Sequence, residues 1–250
     1  MKKISEYAQF RQALHERGDV FAFRGQPSSD FFLIPSGLRD DKTEIADSQM
    51  FRFVDEMRRL FDFDELTCIE IAQHFALPTR MLDFSYSFDV ALFFACYDKR
   101  YKDCDGEVFI FNKSRYEQML RERNKLSGQV IRNNKFLYDW LQKYIDKKEV
   151  FFENEGVDLP IFVDATMQFD RLAIQRGLFL LWGMVEKPFE KIIEDEGLQL
   201  SDYVDSLIID AAAKPRILEE LSQRSISEDS LYMNIGKVRA LVADIKKEEG

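Results

Sequence analysis

The sequence predicts an α+β fold, and three features carry that prediction. Short apolar runs bounded by turn residues read as buried strands, among them Val20-Phe21-Ala22-Phe23, Ile161-Phe162-Val163 and Leu178-Phe179-Leu180-Leu181-Trp182. Between them lie longer stretches with apolar residues at helical spacing, of which residues 44–61 are the clearest (Ile45, Met50, Phe53, Val54, Met57, Leu60). The composition, 46% hydrophobic and 32% charged over 250 residues, is that of a globular chain able to bury a large core without staples.

The elements follow in order. A helix over 4–16 is expected to end at Gly18. The strand at Val20–Phe23 runs into Arg24-Gly25-Gln26-Pro27, and Phe31-Phe32-Leu33-Ile34 forms a second apolar element that Pro35 stops. Helices over 44–61 and 66–75 come next, the second broken at Leu77-Pro78, and a loop is expected over 79–87. Residues 89–96 are apolar throughout, and Ala91 and Ala95 at i, i+4 suit a closely packed helix. Glu107-Val108-Phe109-Ile110-Phe111 alternates as a strand does, whereas 113–148 reads as a polar helical insertion. Two strands at 161–163 and 178–182 flank a helix holding Arg171; a strand at 203–209 and two helices close the chain. No repeat or Gly/Ser/Pro-rich linker interrupts it, so residues 1–250 are expected to form one domain. The 23 phenylalanines against two tryptophans point to a Phe-packed interior or an aromatic-walled pocket.

Charge and residue usage narrow the function classes. A net charge of −10 argues against a general phosphate-tracking surface, though a local basic cleft stays open. Cys68, Cys96 and Cys104 lack CxxC spacing and there are only two histidines, which disfavours a disulfide framework and any metal site. The first residues carry no signal-like apolar stretch, and no run reaches the roughly 18–20 apolar residues of a membrane span, so a cytoplasmic protein is expected. HExxH, GxSxG, Walker and GxGxxG motifs are missing.

Three polar clusters sit against apolar elements, where polar groups are costly unless paired or used. In Phe23-Arg24-Gly25-Gln26, Arg24 at a strand end suits bidentate capture of phosphate or carboxylate, and Gly25 permits close approach of a ligand. The simpler alternative is an internal ion pair and an ordinary turn. The second cluster, residues 72–87, gathers His74, Thr79, Arg80, Asp83, Ser85 and Ser87; here the alternative is that Arg80 and Asp83 pair with each other. In the third, Arg171 and Gln175 are spaced to face one way on a helix, with Gly177 expected to turn the chain into the next strand. Gln175 and Arg176 acting only as helix-end caps is the competing reading.

These clusters resemble the FRG domain family, named for its Phe-Arg-Gly signature. The resemblance runs through Phe23-Arg24-Gly25-Gln26, Leu33-Ile34-Pro35-Ser36-Gly37-Leu38-Arg39, residues 72–83 and Ala91-Leu92-Phe93-Phe94-Ala95. Later matches fall at Arg171, Gln175, Gly177 and Phe179, and over residues 226–235. A second resemblance is to ADP-ribosyltransferases of the Arg-Ser-Glu type, through Phe23-Arg24-Gly25, Phe84-Ser85-Tyr86-Ser87 and residues 90–95. Gln175 stands where the third motif belongs, without an accompanying glutamate.

That resemblance implies an ADP-ribosyltransferase-like mixed sheet core with surrounding helices, NAD as co-substrate and no metal. It implies Arg24 on the pyrophosphate, Gly25 on the nicotinamide amide, Ser85 or Thr79 on the ribose, and Gln175 on its 2′-hydroxyl. Asp83 or His74 would move the acceptor's proton, and Phe84 or Tyr86 would wall the nicotinamide. Gln26, Arg80 and Arg171 complete the expected binding set. The expected activity is transfer of ADP-ribose to a macromolecular target, nucleic acid or protein, by a toxin or phage-defence effector restrained by an antitoxin or chaperone. The insertion interleaves Lys113, Arg115, Arg121, Arg123, Lys125, Arg132 and Lys135 with Tyr116, Phe136, Tyr138 and Trp140, a composition suited to RNA or DNA. Two other classes remain: a non-catalytic nucleotide- or nucleic-acid-binding module using the same cleft, and a structural interaction protein with a buried polar network.

Overall fold

The computed structural model describes residues 19–40, 42–123, 159–165, 175–183 and 185–232. The expected helix over 4–16, most of the insertion, the helix holding Arg171 and the end of the chain lie outside the described residues.

The fold is α+β. Six strands, β1 (Phe21–Gln26), β2 (Met81–Ser85), β3 (Gly106–Asn112), β4 (Ile161–Asp164), β5 (Gly177–Leu181) and β6 (Val204–Ile209), form one sheet in the order β4-β5-β2-β1-β3-β6. Every pairing among them is antiparallel, which corrects the expectation of a mixed sheet. Seven α-helices are described: α1 (Thr43–Leu60), α2 (Glu65–His74), α3 (Phe88–Tyr97), α4 (Lys113–Arg123), α5 (Phe189–Asp195), α6 (Lys214–Gln223) and α7 (Glu228–Leu231).

The expected loop over 79–87 is largely β2, which lies inside the sheet between β5 and β1. Its polar Asp83 and Ser85 obscured the strand, because they fall on the same face as Met81 where a core strand would be apolar. The Phe31–Ile34 segment is irregular; Leu33 is fully buried while Phe32 is 61% exposed.

Strand alternation divides the sheet into two faces. On one, Ala22, Leu82, Phe84, Phe109, Phe111, Leu178 and Leu180 pack with Tyr116 of α4, Phe189 of α5 and Trp182. Edge-to-face aromatic pairs bind this core: Phe84, Phe111 and Phe162 meet at centroid distances of 4.9–5.8 Å. The opposite face carries two separate clusters. One packs α1 and α2 on Met81, Val163, Phe179 and Leu181; the other packs α3, α6 and α7 on Phe23, Val108, Ile110 and Leu207. Between them, at the seam of β2 and β1, sit Asp83 and Ser85.

Helix α3 lies on the sheet at backbone contact. A Cβ on Gly25 would stand 1.7 Å from the Ala91 carbonyl oxygen, and one on Gly106 would stand 2.5 Å from that of Ala95. Gly25 therefore admits a helix, not a ligand, and the i, i+4 alanines are the matching surface. The Ser87 hydroxyl caps the start of α3, accepting from the Val90 N–H, and Asp64 caps α2 through the Thr67 N–H.

Candidate functional site

Strands β1 and β2 share a single register pair, Phe23↔Ser85, whereas β1 pairs with β3 along its whole length. Past Phe23 the two strands part, and a cleft of about 370 Å³ opens there. Arg24 spans the parting: its Nη1 donates to the Asp83 main-chain carbonyl at 2.7 Å. Its Nε is buried and has no hydrogen-bond partner. Burial, offset in part by Asp83, lowers the Arg24 pKa to about 10; Arg39 nearby lowers it further. An orphaned donor on a desolvated guanidinium is costly, and an anion in the cleft would satisfy it.

The cleft gathers Arg24, Gly25, Asp83, Phe84, Ser85 and Gln175 from three segments far apart in sequence. Their roles differ from those expected. The Ser85 hydroxyl donates to the Gln175 carbonyl at 2.6 Å and accepts from the Ser87 N–H at 2.9 Å. It therefore fastens the segment carrying Gln175 onto β2. The Gln175 side-chain amide donates to the Leu231 carbonyl at 3.1 Å. Phe84 is 4% exposed and belongs mainly to the aromatic core. The turn into β5 is made by Arg176, with φ 48°, and not by Gly177.

Four expected binding residues are structural here. Gln26 is buried and donates to the Phe31 carbonyl at 3.1 Å. Thr79, also buried, donates to Gln73 Oε1 and accepts from the Met81 N–H at 3.1 Å. Arg80 does not pair with Asp83. It grips Asp47 of α1 through Nε and Nη2 and donates to the Gly183 carbonyl at 2.6 Å, fastening α1 over the end of β5. The Tyr86 hydroxyl donates to Asp164 at 2.6 Å; burial and that bond push its pKa up, and its ring packs with the aromatic core. His74 is not among the residues lining the cleft; its ring meets Phe75 edge-on at 5.1 Å. Its neighbour Gln73 donates to the Asp83 carboxylate at 2.9 Å, a positioning contact and not proton transfer. Arg171 lies outside the described residues.

The aromatic wall comes mainly from residues other than the expected Phe84 and Tyr86. Phe94 and Tyr97 of α3 and Tyr232 after α7 line the cleft, with Tyr232 6.2 Å from each of the other two rings. A hydrogen bond with Glu228, then burial, pushes the Tyr97 pKa up to about 12. Val90, Phe94 and Tyr97 recur at i, i+4, i+7, a stripe legible in the sequence as a helix face but not as the wall of a site. At the rim, Arg100 is already paired with Asp98.

Most of the cleft's lining falls in residues 19–104, which match the FRG domain model. Gln175 and Tyr232 are contributed from beyond that segment, as are the expected matches at 171–179 and 226–235. No curated protein and no solved structure gives a significant match. Among the described residues, no group of three His, Cys, Asp or Glu side chains is placed to hold a metal, and no helix is long and apolar enough to cross a membrane.

Proposed function

We propose that the cleft binds NAD and cleaves its nicotinamide–ribose bond, transferring ADP-ribose to a macromolecular acceptor. The observation that carries this reading is the Arg24 guanidinium, desolvated at the parting of two strands with an unsatisfied Nε, opposite an aromatic wall. A phosphate on Arg24 and a planar ring against Phe94, Tyr97 and Tyr232 suit the two ends of a dinucleotide's reactive half.

In the proposed reaction the C1′–N bond breaks and its electron pair leaves with nicotinamide, which becomes neutral. The oxocarbenium-like ribosyl is then attacked at C1′ by the acceptor, whose proton passes to a base. Gln175 cannot take that proton. Asp83, exposed and oriented by Gln73, is the carboxylate we assign to it. Rotation of the Gln175 amide from the Leu231 carbonyl to the ribose 2′-hydroxyl would supply the transition-state hydrogen bond, a kind of contact worth about 3 kcal/mol. We extend the proposal to a toxin or phage-defence role under an antitoxin or chaperone, with RNA, DNA or protein as acceptor, on the family resemblance alone.

The binding-module reading draws on a different observation. Both carboxylates lining the cleft already accept hydrogen bonds, Asp83 from Gln73 and Asp98 from Arg100. Nicotinamide release from NAD by the parent and by Arg24→Ala, with RNA, DNA or cell lysate added, separates the two. Release that depends on Arg24 supports the enzyme; ADP-ribose binding without release supports the module.

A further inference from the structure

Asp83 reaches the cleft from the middle of β2, and only one of its carboxylate oxygens is engaged. Oδ2 accepts from Gln73 Nε2 at 2.9 Å, whereas among the described residues no hydrogen bond reaches Oδ1. Gln73 stands in the last turn of α2 and does not itself line the cleft. Its Nε2 also donates to the Met81 carbonyl at 3.4 Å, and its Oε1 accepts from the Thr79 hydroxyl. Thr79 is buried and held at two further points. Its Oγ1 accepts from the Met81 N–H at 3.1 Å, and its carbonyl accepts from the Gly37 N–H at 2.9 Å.

These bonds run in one direction. The Thr79 hydroxyl, already accepting from the Met81 N–H, turns its own proton to Gln73 Oε1. The Gln73 amide then presents its N–H groups to Asp83 and to the Met81 carbonyl. Turned the other way, the amide would set oxygen against carboxylate and leave the buried Thr79 proton without an acceptor.

We propose that Thr79 and Gln73 are positioning residues that tie back Oδ2 of Asp83 and leave Oδ1 as its proton-accepting oxygen. This rests on reading Asp83 as the base of the proposed transfer. As the acceptor's lone pair bonds to C1′ and the C1′–N pair leaves with nicotinamide, the acceptor's proton passes to Oδ1. A carboxylate free to rotate would have to be ordered at each turnover, a cost that preformed bonds remove. Neither Thr79 nor Gln73 lines the cleft, so losing either should slow turnover and leave binding intact.

Steady-state nicotinamide release from NAD by the full chain, with RNA, DNA or cell lysate as the parent requires, tests the relay beside calorimetric binding of ADP-ribose. Gln73→Met should lower kcat about tenfold, the scale of one hydrogen bond to a charged group, with KM and ADP-ribose affinity within about twofold. Thr79→Val should lower kcat severalfold, and Thr79→Ser, which restores the hydroxyl, should recover most of that loss. In an Asp83→Asn background, Gln73→Met should cost less than about twofold more, because it acts through Asp83. If Thr79→Val does not fold, Gln73→Met and the Asp83→Asn cycle decide. Parent-like kcat in folded Gln73→Met, a matching loss of ADP-ribose affinity, or a full tenfold cost in the Asp83→Asn background overturns the relay while NAD cleavage stands. A folded parent that releases no nicotinamide under any condition overturns the reading of the cleft, and the relay with it.

Discussion

The Nη1 of Arg24 donates to the main-chain carbonyl of Asp83 at 2.7 Å, across the point where β1 and β2 separate. A side chain thereby makes the bond that a continued strand ladder would have made. The sheet keeps its continuity, and the opening it leaves is the cleft. Arg24 is thus a structural bridge and the only desolvated guanidinium lining the cleft with a donor to spare, among the described residues.

Arg80, which is buried, and Arg24, which is partly buried, should respond differently to removal. Arg80→Ala strands Asp47 and is expected to cost about 3–5 kcal/mol. Arg24→Met removes a desolvated charge that has no carboxylate partner, and stability should change by less than about 1 kcal/mol. Urea unfolding of the two variants checks this. Equal, large losses would mean that Arg24 is only structural.

Gly25 is needed for packing. Gly25→Ala drives a Cβ into the Ala91 carbonyl, backbone against backbone, and α3 must lift from β1. A loss of about 3 kcal/mol or more is expected in denaturant melts, since neither backbone can yield cheaply.

Much of this architecture was legible in the sequence, and the failures have physical causes. Helix α3 was visible because Ala91 and Ala95 repeat at the spacing that Gly25 and Gly106 require. Strand β1 was visible as an apolar run, although it extends through Gln26. Strand β2 was hidden by Asp83 and Ser85, whose polarity reflects the gap between two helix clusters and not a loop. Arg24, Asp83, Ser85 and Gln175 line one cleft, a convergence that their separate positions along the chain left open. Gln26, Thr79 and Arg80 were indistinguishable from ligand contacts in one dimension, because a residue satisfying a buried carbonyl or carboxylate has the same chemistry as one awaiting a ligand. Tyr232 reaches the site through tertiary contacts that local spacing does not encode.

Gln175 ties the far wall of the cleft to its floor. Gln175→Glu replaces the donor to the Leu231 carbonyl with an acceptor, so that bond must break. Amide hydrogen exchange across 227–232 should accelerate by about tenfold, a loss of roughly 1–1.5 kcal/mol of local stability, while the central strands keep their protection. Unchanged exchange would remove this bond from the account.

Stability should fall as pH rises through the carboxylate range on account of Glu107. This residue is 8% exposed, and burial, with Glu190 nearby, raises its pKa above the ordinary 4.5. The folded state therefore holds a proton that the unfolded chain releases from about pH 4.5 upward, and stability declines until the raised folded value is passed. Glu107→Gln should be more stable than the parent at pH 7, and the difference should disappear below about pH 4. Melting curves at both pH values read this directly.

The central claim is most directly tested by nicotinamide release from NAD, measured for the purified parent and for folded Arg24→Met, each with and without RNA, DNA and cell lysate. The account predicts release by the parent and a loss of at least about a hundredfold in Arg24→Met, the scale of removing one preorganised charge-stabilising group. Equal release from both proteins, or none from a folded parent under every condition, would contradict it.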